Sequence, residues 1–208
     1  RLALLDFRPV LRNPAVRPYL FATVAHSWEL HATRAWLVTF LTFAAALRSS
    51  TDSVPGSVAL TAALIFLIGP IASVGGNELA LRFGRARMMT LGATLSAIAS
   101  CIIGFLVGSP WIALLAFAAV HMYFISIDAG VMTAGMVNAA EPAHRGATMT
   151  LYSLVGSGTG FISPTVFGAV LDLAGGRGEL LAWGLAFASL GMVAILGVIP
   201  ARRLALRS

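Results

Sequence analysis

The sequence predicts an all-α membrane protein: six transmembrane helices arranged as two inverted three-helix repeats. Three observations carry that prediction. The chain is too apolar for a water-facing shell, with 58% hydrophobic and 11% charged residues and a mean hydropathy of +0.88. An average soluble domain is about 25% charged. The apolar residues fall into runs of bilayer-spanning length, about 20 residues each. Those runs divide into two triplets that share landmarks.

The first span is expected at about 17–47. It is long and carries charges in its middle. The second is expected at about 55–81, because nothing between Asp52 and Glu78 is charged. From Met88 to Ile127 the chain has no formal charge at all. That is room for two spans, and Gly108-Ser109-Pro110 supplies the break, giving a third at 88–107 and a fourth at 110–138. The fifth is expected at 146–171, between Arg145 and Asp172, and the sixth at 180–200, between Glu179 and Arg202. Residues 1–16 read as a cytoplasmic lead-in, 17–200 as the transmembrane bundle, and 201–208 as a cytoplasmic tail. The first apolar run is too long for a signal peptide and lacks a small-residue cleavage site. A chain that begins with Arg1 is expected to be a fragment or a processed product.

All 14 basic residues are Arg, against 8 acids, for a net charge of +6. Such an excess raises nucleic acid as a partner, but the positions exclude it, because the arginines sit at the ends of apolar runs. Eleven fall on one side of the predicted membrane, before the first span, after the sixth, and in the 2–3 and 4–5 connections. Only Arg48 and Arg177 fall on the other side, and Arg34 lies within the first span. The positive-inside bias therefore puts both termini in the cytoplasm, in agreement with an even number of spans. Arg without Lys points to a GC-rich genome, and so to a bacterial inner membrane.

The triplets match in three ways. The first span of each holds the ionisable groups: His26, Glu29, His31 and Arg34 in one, His121 and Asp128 in the other. The second of each has a proline in a small-residue context, Gly69-Pro70 and Ser163-Pro164. The third of each is uncharged. Three is an odd number, so the second triplet is inverted relative to the first.

Residues 76–87, Gly-Asn-Glu-Leu-Ala-Leu-Arg-Phe-Gly-Arg-Ala-Arg, resemble a loop signature of the major facilitator superfamily. Gly76, Ala80, Arg82, Gly84 and Arg85 fit it, and Leu81 stands where the family has an acid. The stretch Glu141-Pro-Ala-His-Arg-Gly146 is similar to the connection between helices 10 and 11 of that family, and Leu11–Tyr19 to its lead-in to helix 7. The resemblance covers the whole chain as the C-terminal half of a twelve-helix transporter. It implies a secondary transporter of a small solute, working by alternating access against a missing N-terminal six-helix half. It also implies that the first and fourth spans here line a central cavity. Gly76, Glu78, Arg82, Gly84 and Arg85 would form the gating loop, with Glu78 taking over part of the missing acid's role beside Arg82 or Arg85.

Glu29 has His26 one helical turn before it, and Asp128 has His121 two turns before it, on shared faces. Each lining helix thus offers a carboxylate with an imidazole nearby, which suits proton binding. Ionisable groups inside a membrane are costly and face a cavity or the bundle interior. The competing reading is a structural ion-pair network in which Arg34 neutralises Glu29 or Asp128. Arg34 also reads as a docking group for an anionic substrate. His31 and His121 read equally as packing histidines. Trp28, Trp36 and Tyr123 flank these charges, and packing or lipid contact explains them as well as a substrate wall does. Trp111 reads as an interfacial anchor, and Gly156, Gly158, Gly160 and Gly168 as sites of close helix approach.

No enzyme is expected. Val155-Gly156-Ser157-Gly158 lacks the first glycine of an intramembrane serine protease motif, and no histidine follows His144. His26, Glu29 and His31 do not have the HExxH spacing. No P-loop is present, no metal or cofactor is implied, and the lone Cys101 excludes a disulfide. The alternative to transport is a half-size membrane protein that binds or scaffolds a partner.

The orientation is testable by cysteine accessibility in a Cys101-free background. Positions 50 and 176 should label from outside and position 86 only from inside; the reverse pattern would contradict the arginine bias.

Overall fold

The computed structural model describes residues 6–48 and 56–205. Arg1, Arg207, Asp52, and the expected second-span start at Pro55 lie outside them. Every regular element among the described residues is helical. They are α1 (Arg8–Arg12), α2 (Arg17–Ala46), α3 (Val58–Phe83), α4 (Arg85–Ile103), α5 (Trp111–Ser126), α6 (Ala129–Ala139), α7 (Arg145–Leu173) and α8 (Leu180–Ala205). Short 3-10 turns cover Gly104–Gly108 and Pro142–His144.

Among the described residues, five helical stretches are long and apolar enough to cross a membrane: 58–83, 85–108, 111–139, 142–173 and 180–199. α2 is 30 residues long but is not among them. Its middle carries His26, Glu29, His31 and Arg34, which lower its hydropathy. Large apolar side chains also cover much of the exterior. On α3 the residues Leu60, Leu64, Leu67, Ile71 and Val74 form one exposed stripe, each three or four residues from the next. In water such a stripe would drive association; in a bilayer it faces hydrocarbon.

Local chemistry explains the boundaries. Ser57 caps α3, its hydroxyl accepting from Leu60 N–H. Gly84 joins α3 to α4 with φ of +92°, a conformation open to glycine at no steric cost. Within the lead-in, α1 buries Val10, and the Asn13 amide donates to Ala139 O at 3.2 Å, closing the end of α6. Arg48 is buried and donates to Ala44 O, Ser109 O and, at 2.8 Å, Val107 O. It thereby ties the end of α2 to the turn before α5.

α8 packs between α2 and α4. α2 lies on α7 and α8, while α5 and α6 lie on α3 and α4. One end of the core is aromatic: Phe40, Phe167, Trp183 and Phe187 are fully buried, with ring centroids 5.0–6.3 Å apart. Trp36 belongs to that cluster, stacked on Phe167 at 5.3 Å with its indole N–H donating to Pro164 O at 2.9 Å. It is a packing residue. On α7, Gly160 and Gly168 admit the rings of His31 and Trp36, whereas a methyl at Gly158 would meet nothing within 4 Å. Close approach therefore involves some of the expected glycines, not all.

The fourth span departs from expectation. It is not one helix over 110–138 but two, α5 and α6, divided at Ile127–Asp128. The backbone ladder runs through Ile127 N–H to Tyr123 O and resumes with Met132 N–H to Asp128 O. No proline causes the break; packing does. A Cβ on Gly76 of α3 would lie 1.8 Å from Ile127 O, and one on Gly92 of α4 would lie 2.8 Å from an Ile127 side-chain carbon. α3 and α4 thus press on the break where they lack side chains.

Gly76→Ala should therefore lower the unfolding midpoint in detergent, by about 1–3 kcal/mol as for other overpacked sites. Gly75→Ala, whose methyl meets nothing within 4 Å, should not. Equal midpoints for the two variants would contradict this role of Gly76.

Candidate functional site

The ionisable residues of α2 separate onto different sides of the helix. His26 and Glu29 turn into the bundle, and Glu29 retains 2% of its exposure. Arg34 is exposed. Glu29 and Arg34 are five residues apart, roughly 140° around a helix of 3.6 residues per turn. The expected neutralisation of Glu29 or Asp128 by Arg34 does not occur: among the described residues Arg34 makes no ion pair. His31 faces α7 instead, with Nδ1 2.7 Å from Ser27 O and its ring against Gly160.

Both carboxylates find histidines, but not those on their own helix. His121, buried to 1%, places Nε2 3.5 Å from Glu29 Oε1. His26 Nδ1 lies 3.1 Å from Asp128 Oδ1. The two pairs therefore cross, each joining α2 to the α5–α6 segment. Same-helix spacing pointed to His26 with Glu29 and His121 with Asp128. All four side chains share the interior, and the contacts form between helices. Neither carboxylate faces an open cavity, as the first and fourth spans were expected to arrange: Asp128 retains only 5% exposure.

Ser100 of α4 completes the first pair and was not singled out in the sequence. Its hydroxyl donates to Glu29 Oε1 at 2.6 Å and lies 2.7 Å from His121 Nε2. A hydroxyl has one proton. With that proton given to Glu29, Ser100 Oγ accepts from His121 Nε2–H. The result is a directed chain from imidazole through hydroxyl to carboxylate. The available signal was that Ser96 and Ser100 are hydroxyl residues four apart in the uncharged part of α4, hence on one face.

The second pair is less complete. Asp128 Oδ1 accepts no well-directed hydrogen bond despite its closeness to His26; in the first pair, His121 Nδ1 has no partner either. Buried polar atoms in this state are rare and costly. Beside Asp128 is a cavity of about 10 Å³, lined by His26, Glu29, Ser96 and Asp128 and walled by Met89 and small residues of α2, α4 and α8. That volume is close to the ~10–15 Å³ that a single water needs.

The residues expected to form a gating loop do not form one cluster. Gly76 packs against the helix break and Gly84 makes the α3–α4 turn. Arg82 lies over the Phe83 ring at 6.0 Å. Glu78 is exposed and forms no ion pair with Arg82 or Arg85; it borders an open groove between α3 and α6 with Ser73, Asn77, Gly130 and Thr133. Arg85 is half-buried, with its Nε atom unpartnered.

Chemically, the interior holds two carboxylates, two imidazoles and a relaying hydroxyl, shielded from solvent. Such a group can take up and hand on protons. Among the described residues, no three His, Cys, Asp or Glu side chains come together as metal ligands would. No protein-family model matches the chain, and a search of curated proteins finds no match.

Proposed function

We propose that this chain is the C-terminal six-span half of a secondary transporter of the major facilitator type, moving a small solute by alternating access. The observation that carries the reading is the crossed pair of buried His–carboxylate contacts within long apolar helices. Unused charge is rarely kept in such a setting. In this reading α2 is the first of six spans, both termini are cytoplasmic, and the membrane is a bacterial inner membrane.

Helix packing supports the two-repeat arrangement. The first helix of each triplet packs on the second and third of the other: α2 on α7 and α8, the α5–α6 segment on α3 and α4. The two third helices, α4 and α8, pack on each other. A two-fold relation between inverted triplets produces that exchange. The second helix of each triplet also carries an internal proline, Pro70 in α3 and Pro164 in α7. Each removes a backbone hydrogen bond and softens its helix.

The coupling ion in this reading is the proton. A proton added at His121 Nδ1 makes an imidazolium. Its Nε2–H passes to Ser100 Oγ as the Ser100 proton passes to Glu29. The products are a neutral imidazole carrying Nδ1–H and a neutral glutamic acid, with no charge left over. Asp128 beside His26 is the second acceptor.

Amide substitution tests the proposal. In proteoliposomes of the full-length protein, Glu29→Gln or Asp128→Asn should abolish pH-gradient-driven accumulation. Solute exchange, which moves no net proton, should survive. Accumulation that persists in both variants, each folded normally, would overturn proton coupling at this site. Absence of any solute transport by the wild type would favour the half-size scaffold instead.

A further inference from the structure

We infer that the cavity beside Asp128 binds a single water, which bridges Glu29 to Asp128 and joins the two crossed pairs into one proton path. The inference rests on the proton-coupling reading above and deepens it, by supplying the route to the second carboxylate. Three helices enclose the space. α2 brings His26 and Glu29, α4 brings Ala93 and Ser96, and α8 brings Ala194 and Gly197. On α4 and α8 these residues are three apart, so each helix turns one face inward. α8 comes in closely: a Cβ on Gly197 would lie 2.9 Å from Ala25 Cβ of α2. Small side chains on that face leave room beside the carboxylates.

The lining has the chemistry of a water site. Internal cavities stay dry when their walls are apolar. This one carries four polar side chains, His26, Glu29, Ser96 and Asp128, around about 10 Å³, near the ~10–15 Å³ that one water requires. Asp128 retains 5% exposure, and its Oδ1 has no hydrogen-bond partner. A water donating to Oδ1 removes that cost. The Ser96 hydroxyl gives its proton to Ala93 O at 3.3 Å, which leaves its oxygen to accept. Glu29 accepts from the water when ionised and donates to it when protonated. With Glu29 protonated, the water receives one hydrogen bond and donates two, to Asp128 and Ser96. A metal ion suits the site less well, because among the described residues no three His, Cys, Asp or Glu side chains come together as ligands.

The transfer balances. Glu29, protonated from His121 through Ser100, gives its proton to the water oxygen as the water gives one of its own to Asp128 Oδ1. One O–H bond forms at the water and one breaks. Glu29 is left as a carboxylate, Asp128 as a neutral acid, and the water is restored. His26, with Nδ1 3.1 Å from Asp128 Oδ1, is the next base along the path. The titratable groups facing the path are His26, Glu29, His121 and Asp128. The Cys101 thiol of α4 is turned toward Gly191 of α8, Arg34 is on the exposed side of α2, and α8 lines the cavity with apolar residues alone.

The test is infrared difference spectroscopy of the purified full-length protein in lipid, stepped from alkaline to acid pH in ordinary water and in water carrying the heavy oxygen isotope. The wild type should gain carboxylic-acid C=O bands, assigned by their loss in Glu29→Gln and Asp128→Asn. An ordered-water O–H band should change with them and move to lower frequency with the heavy isotope. Ala93→Val fills the cavity and keeps every charge. It should lose the water band while the Glu29 C=O band remains; Ala194→Val fills the space from α8 and decides the matter if Ala93→Val does not fold. In proteoliposomes the folded variant should lose pH-gradient-driven accumulation and keep solute exchange. No isotope-sensitive band in the wild type, or one retained when the cavity is filled, would overturn the bridge, as would undiminished accumulation by the filled variant. In each of those cases titrating C=O bands would leave the proton reading standing. Carboxylates that stay ionised throughout would overturn the proton reading and the bridge with it. An unfolding midpoint raised by sodium chloride but not by choline chloride would put a cation in the cavity and overturn the water.

Discussion

Charge placed inside a bundle of membrane-length apolar helices must be satisfied from within, and the interior is organised around that demand. Two carboxylates and two imidazoles occupy the space between α2, α4 and the α5–α6 segment. Each pair spans a helix boundary, so neutralising charge and holding helices together are one interaction. Removing a single member would strand a buried polar or charged partner, which typically costs more than the pair itself contributes. α8 closes the remaining side with small residues, Ala194, Gly197 and Ala201, leaving space beside the cluster rather than filling it.

The helix break follows from the same arrangement. Asp128 begins α6 rather than lying within a continuous helix, and this brings its carboxylate to His26. Gly76 and Gly92 let α3 and α4 close around Ile127 and Asp128. Backbone contact between helices substitutes there for side-chain packing, as is common in membrane bundles. Ser100 reaches Glu29 from α4, and α4 is held in place by its long contact with α8. The cluster therefore depends on a helix that contributes no charge of its own.

Much of the fold was legible in the residues. Apolar run length and flanking charges located α3, α4, α7 and α8 to within a few residues, because membrane-spanning length is a strong physical constraint. The break at Ile127–Asp128 was hidden. Ile125-Ser126-Ile127-Asp128-Ala129-Gly130 contains no proline, and the cause lies on α3 and α4, far away in sequence. The ionisable residues of the site were legible, but their pairing was not. His26 lies on the same face as Glu29, and His121 on that of Asp128, so one-dimensional spacing favoured same-helix partners. Only the crossing of helices decides otherwise. Arg34 was separable from Glu29 by helical angle alone, a signal that charge complementarity obscured. Ser100 was lost among the small residues that membrane helices use for packing.

Crossed pairing is tested most directly by double-mutant cycles on unfolding stability, using His26→Gln with Asp128→Asn and His121→Gln with Glu29→Gln. The same-helix pairs, His26 with Glu29 and His121 with Asp128, serve as the comparison. Coupling energies of about 0.5–3 kcal/mol are usual for residues in contact. The crossed pairs should show coupling in that range and exceed the same-helix pairs. Strong coupling within each helix, with additive effects across them, would contradict the interior described above.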